Sequence, residues 1–261
     1  MESMAKSLIR KLAVLFSFAA MVTVNWMAVT GQVNNVTTAE ISDTYNSLFT
    51  PAGYTFSIWG IIYLLLLGYV LFQLFSARPG EDGKLSGIAL WFVASCILNV
   101  GWIFAWHYKQ MIISTAVMII LLYCLIRILR MIPDTPRTFG NLFSLEIPFG
   151  LYAGWITVAT VANIAVLLVS LGWDYFLVPD FAWLIIVLLA VTVVAVIAGG
   201  SSHNVAYPAA FIWGLVGILV RYLPDFTFDV QSNAMWIVFA LGVSLLVITI
   251  RWIDIIVRRL K

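Results

Sequence analysis

Apolar residues along this chain come in long unbroken runs, not in the alternating or one-sided patterns of a soluble strand or helix. A bilayer core is crossed by roughly 20 apolar residues in helix. Eight runs approach or exceed that length: Leu8–Val29, Tyr54–Phe75, Gly87–Trp106, Met111–Met131, Ile147–Leu171, Phe181–Ala198, Ala206–Leu223 and Ala234–Val257. The pattern predicts an all-α, polytopic membrane helix bundle of about eight transmembrane helices, because helices satisfy their own backbone groups in lipid. The sixth and seventh runs are short, and only the small polar stretch Gly199–Asn204 parts them. Lys6, Arg10 and Lys11 around the start of the first run would also suit the basic region of a signal peptide. The length of that run and the lack of a small-residue cleavage site favour a span.

Composition supports the membrane reading. Of 261 residues, 63% are hydrophobic and 10% charged, against roughly 25% charged in an average soluble domain. Mean hydropathy is +1.04. The net charge of +2 comes with no basic block, so nucleic acid is not an expected partner. Cys96 and Cys124 both fall in apolar runs and form no CxxC pair. They read as small buried hydrophobes rather than as a disulfide or metal site.

The cations then set an expected orientation. With the N-terminus inside, inner segments carry Lys6, Arg10, Lys11, Arg78, Lys84, Arg127, Arg130, Arg137, Arg258, Arg259 and Lys261. Outer segments carry only Lys109 and Arg221, and Arg251 lies near the inner end of the last span. The positive-inside rule predicts this asymmetry for an even number of spans with both termini cytoplasmic. The longest outer loop, Gly31–Gly53, has Glu40 and Asp43 but no Lys or Arg. Thr37 and Glu40 have capping-box spacing, which would start a short amphipathic helix from about Thr38 to Leu48 over the outer mouth. An unstructured connector is the alternative. Asn35-Val36-Thr37 matches the glycosylation sequon, relevant only on a eukaryotic secretory route.

Eleven tryptophans are many for this length. Trp173 and Trp183 flank an outer loop, as interfacial anchors do. Trp59, Trp102, Trp106 and Trp155 sit inside spans or near their ends, where an indole either packs against neighbours or walls a pocket for a flat hydrophobic ligand. Asn25, Asn99 and Asn163 lie well within spans, where an unpaired amide is costly. Each either bonds a neighbouring helix or points into a cavity. His107, Lys109 and His203 read as residues of solvated turns. Arg251 and Asp254 can pair on one helix face, and Arg251 can also snorkel. Gly150 and Gly154 form a GxxxG, which lets helix backbones approach. Trp155 and Asn163 share roughly one face of the same span, the first choice for a bundle-facing surface. Gly214 and Gly217 lie in the seventh run. No P-loop, GxSxG or HExxH is present, and no His–carboxylate set has metal-ligand spacing. Glu146, Asp180 and Asp254 all lie near span ends, which disfavours a proton-coupled pump.

Three segments together carry a family resemblance. Phe49-Thr-Pro51-Ala-Gly-Tyr54-Thr-Phe56-Ser-Ile-Trp59-Gly60-Ile-Ile-Tyr63 resembles the start of the second helix of the TspO/MBR family, the tryptophan-rich sensory proteins that include the mitochondrial translocator protein (peripheral benzodiazepine receptor). Leu98-Asn99-Val-Gly-Trp102 resembles that family's LNxxW in helix three. Trp155-Ile-Thr-Val-Ala159-Thr160-Val-Ala-Asn163 resembles its WxxxATxxN in helix five. The segments come in the family's order and cover about residues 8–172. Two departures stand out. Pro51-Ala52-Gly53-Tyr54 replaces the family's PPxW, and three spans follow the five-helix core.

The resemblance implies a TspO-like five-helix unit over residues 1–175, three additional transmembrane helices over 176–261, and a pocket between helices open toward the first loop. Its implied ligand-binding residues are Tyr54, Phe56, Trp59, Asn99, Trp102, Trp155, Ala159 and Asn163. Family members bind tetrapyrroles, sterols and synthetic benzodiazepine-site ligands. The expected function is therefore binding of a hydrophobic or aromatic small molecule, tetrapyrrole- or sterol-like, with a sensory or transport-related role. A small-molecule permease using all eight helices is the alternative. A porphyrin-modifying enzyme ranks third, for want of an acid–base pair, and the chain is expected not to be an enzyme. No cofactor is required, although a protoporphyrin or heme-like tetrapyrrole is the ligand to test. The expected partners are the lipid bilayer and that ligand, with a homodimer the oligomer to test for. The expected location is the plasma membrane of a prokaryotic cell.

Overall fold

The computed structural model describes residues 2–45, 47–75, 82–132, 139–173, 178–202, 204–225, 228–229 and 231–260. Among them eight helices are long and apolar enough to cross a membrane. They are α1 (Glu2–Val29), α3 (Ile58–Phe75), α4 (Asp82–His107), α5 (Met111–Met131), α6 (Ile147–Ser170), α7 (Asp180–Ser202), α8 (Ala206–Tyr222) and α9 (Asn233–Leu260). A short helix, α2 (Thr38–Thr44), lies in the first loop. Side chains such as Leu64 and Leu90 stand about 70% exposed on the bundle surface (70% and 69%). Water would penalise such a surface and lipid does not. The protein is an integral, multi-pass membrane protein.

Five helices close into a ring. α1 packs on α4, α4 on α5, α5 on α6, α6 on α3 and α3 on α1. α8 packs along α6, and α9 packs against both α7 and α8. The GxxxG explains the α6–α8 approach. A β-carbon at Gly154 would lie 2.4 Å from the Tyr207 carbonyl oxygen, and one at Gly150 would lie 2.0 Å from the Asn204 side chain. Glycine is what lets those backbones meet.

Buried amides tie the ring together. Asn25 on α1 donates to the Asn99 side chain on α4 at 2.6 Å. Asn99 donates in turn to the Tyr152 hydroxyl on α6 at 3.2 Å. Both asparagines are buried, so each is a helix-to-helix bond rather than a solvated group. Cys96 and Cys124 are free and buried.

At the end of the bundle that carries the termini, α6 begins with a π-helical turn, Leu142–Glu146. The cause is Pro148, which has no N–H for the carbonyl four residues back and crowds it. The Ile147 N–H bonds the Leu142 carbonyl instead, five residues back. This turn presents Glu146 to Arg259 of α9 at 2.9 Å, with both side chains largely buried. Asn204 donates to the Glu146 carbonyl at 2.6 Å and accepts from the backbone N–H groups of Ala206 and Tyr207 at the start of α8. Arg251 pairs with Asp254, as their spacing predicts.

At the opposite end, the Thr37–Glu40 capping box is present and starts α2. That helix ends at Thr44, short of the expected Leu48, and the chain then turns down toward α3. His107 corrects the reading of a solvated turn, since its exposure is 0%. Its Nδ1 lies 2.8 Å from the Ile103 carbonyl, and Asn34 of the first loop donates to the His107 carbonyl at 2.8 Å. His203 lies outside the described residues.

Candidate ligand-binding pocket

Trp59, in the first turn of α3, is the hub of an aromatic cluster. Its ring centroid lies 5.6 Å from Tyr63, 6.0 Å from Trp102, 5.9 Å from Tyr152 and 6.3 Å from Trp155. Trp102 continues to Trp106 at 6.0 Å, and Phe56 stands edge-on to Trp155 at 6.4 Å. The two contacts with Tyr152 and Trp155 are close to perpendicular, the arrangement that ring quadrupoles favour.

Beside this cluster, under the first loop, lies a hollow of about 510 Å³ counting the open space at its mouth. Its aromatic walls are Phe56, Trp59, Trp102, Trp106 and Trp155. α6 adds Val158, Ala159, Ala162 and Asn163. Ser42 of α2 and the loop residues Phe49 and Pro51 line it from the first loop, and α8 contributes Gly214 and Ile218. Among the described residues no charged side chain lines it. Trp106 fastens α2 above the hollow, its indole N–H donating to the Thr38 carbonyl at 3.2 Å.

Polar groups are few and placed. The Asn163 oxygen accepts from Thr115 at 2.8 Å and its nitrogen donates to Ser114 at 3.1 Å, so α5 fixes the amide plane. The indole N–H groups of Trp102 and Trp155 are buried and find no acceptor among the described residues. A buried donor left unbonded costs about 1–3 kcal/mol. A ligand acceptor that reached either would recover part of that cost.

Six of the residues expected from the sequence therefore line one hollow: Phe56, Trp59, Trp102, Trp155, Ala159 and Asn163. Tyr54 and Asn99 are not among its walls. Tyr54 is 46% exposed and stands edge-on to Trp213 of α8 at 5.8 Å. It sits in the 3₁₀ turn Gly53–Ser57, whose threefold period sends residues 54 and 56 in different directions. Asn99 serves the α1–α4–α6 bonds described above. Ser42, Phe49, Pro51, Val158, Ala162, Gly214 and Ile218 are not among the expected binding residues. Phe49, Pro51, Val158 and Ala162 lie within the motif segments, and Gly214 is a glycine inside an apolar run.

A second hollow, about 590 Å³, opens between α6 and α7 and is lined by Leu48, Val161, Ile164, Leu168, Trp183 and Leu184 among others. It shares Phe49 with the first. Apart from Trp183 and Phe49 its walls are aliphatic or small, with Asp180 and Ser47 as the polar members. It lacks the converging aromatic faces and placed amide of the first.

A family model described as TSPO-like protein matches residues 11–252. The chain belongs to this TSPO-like family. The match begins in α1 and ends in α9, so it takes in the last three helices, which the three sequence motifs do not reach. Comparison with curated proteins gave no match, and comparison with solved structures gave none. Among the described residues no group of three or more His, Cys, Asp or Glu side chains is placed to hold a metal ion.

Proposed function

We propose that this TSPO-like membrane protein binds a flat, hydrophobic small molecule, tetrapyrrole- or sterol-like, in the hollow beneath its first loop, in a sensory or transport-related role. The observation that carries the reading is the convergence of Trp59, Trp102 and Trp155 from three helices on one uncharged space. Indole faces suit a planar apolar ligand. Asn163 and the unbonded indole N–H groups suit a ligand whose rim carries acceptors.

Titration of intrinsic tryptophan fluorescence with protoporphyrin tests this. Saturable quenching in the wild type, weakened at least tenfold in Trp155→Ala, is the expected result. Equal, non-saturating quenching in both would remove the tetrapyrrole reading. Glycines within a span would suit the permease alternative, but close packing accounts for Gly214 and Gly217. A β-carbon at Gly214 would lie 2.9 Å from Val158, and one at Gly217 would lie 2.1 Å from Thr55. Flux of an organic solute in proteoliposomes is the result that would restore it.

A further inference from the structure

Between α2 and α3 the chain crosses the hollow with isolated backbone bonds of its own, such as Thr50 N–H to the Ser47 carbonyl, so other backbone groups there need partners from elsewhere. α8 supplies them, over successive turns. The Trp213 indole N–H donates to the Thr55 carbonyl at 2.8 Å. The Gly217 carbonyl accepts from the Ala52 N–H at 3.0 Å. The Tyr222 hydroxyl donates to the Leu48 carbonyl at 3.0 Å, and Arg221 pairs with Asp43 at 2.7 Å. Gly217 is what allows the closest of these approaches, because any β-carbon there would overlap the Thr55 side chain. One helical turn apart on the same face, Gly214 and Ile218 complete the wall of the hollow.

We infer that α8 is the element that sizes and closes the ligand pocket. Gly214 and Ile218 set the space available to the ligand, and Trp213, Gly217 and Tyr222 fasten the first loop across it. In the Arg221–Asp43 pair the arginine is partly exposed and the aspartate exposed, so the pair adds little by itself. Of the helices after residue 175, α8 thus has a place in binding. It forms one side of the site and holds its cover. The inference rests on the pocket reading above for its sizing half. Its closing half concerns the loop alone and is testable without any ligand.

The closing half is read with Thr50→Cys, which places a thiol at a buried loop position, in otherwise full-length protein in detergent or nanodiscs. Adding Gly217→Ala is expected to raise its labelling rate by a water-soluble maleimide at least tenfold. Tyr222→Phe, which keeps the ring and removes the hydroxyl, is expected to raise it about threefold and serves if Gly217→Ala does not fold. Labelling at the parent rate in the folded variants overturns the closing role. The sizing half is read by protoporphyrin titration of Ile218→Phe and Ile218→Ala. The larger side chain is expected to weaken binding at least tenfold, and the smaller one less than threefold. If Trp155→Ala loses binding while Ile218→Phe binds like wild type, the sizing role is wrong and the pocket reading stands. If the wild type binds no tetrapyrrole saturably, the pocket reading fails for that ligand, and the labelling rates still decide the closing role.

Discussion

Gly154 on α6 faces the Tyr207 carbonyl of α8 so closely that a β-carbon would lie 2.4 Å from that oxygen. The atom in the way is backbone, which cannot rotate aside. Gly154→Ala is therefore expected to push α8 off α6 and to cost about 1–3 kcal/mol, the usual range for overpacking. Gly101→Ala is the control, because a β-carbon there meets nothing within 4 Å. Thermal unfolding in detergent should show a lowered midpoint for the first and none for the second.

Asn25 and Asn99 should behave as a coupled pair. Their 2.6 Å bond joins α1 to α4 away from the hollow. Interhelical bonds in membranes are worth about 0.6 kcal/mol on average and up to roughly 2. Asn99→Ala is expected to cost about 1–2 kcal/mol, and the double variant with Asn25→Ala less than the sum of the two. Ligand affinity should change less than threefold. A loss of binding as large as that of Trp155→Ala would put Asn99 in the site after all.

Glu146 and Arg259 join the start of α6 to the end of α9 through a largely buried pair. Removing one partner of such a pair is destabilising, by about 3–5 kcal/mol where burial is complete. Arg259→Ala is expected to destabilise markedly, and more than the double variant with Glu146→Gln. Unfolding midpoints of the three proteins give the comparison.

α2 carries a pH dependence of known sign. Hydrogen bonds from the backbone N–H and hydroxyl of Thr37 hold the Glu40 carboxyl below its ordinary value of 4.5. A depressed acid stabilises its structure above the ordinary pKa, and that support is lost as pH falls through the lowered value. Amide exchange in α2, corrected for intrinsic rates, should therefore rise below about pH 4.5. Glu40→Gln should remove most of that rise.

Much of this molecule is legible in its sequence because lipid imposes strong patterns. Run length alone places the eight membrane helices, and the GxxxG of α6 marks a close helix contact without naming the partner. The motif spacing brings Trp59, Trp102, Trp155 and Asn163 to one space, since each motif lies on a helix of known direction. Tyr54 lies off this hollow, against Trp213 of α8, a neighbour that no motif names. His107 fails because a position near a span end says nothing about which loop folds over it. The share of α8 in the pocket is invisible for a different reason. Gly214, Gly217 and Ile218 lie in an apolar run, and only the three-dimensional placement of α8 beside α6 gives them neighbours far away in the chain, as in the 158-residue separation of Trp213 and Thr55.

The most direct measurement is a structure of the full chain with protoporphyrin bound in a lipid nanodisc. The account predicts ring density between Trp59, Trp102 and Trp155, beneath Phe49 and against Ile218. Density confined to the hollow between α6 and α7, or to the lipid-facing surface, would contradict it.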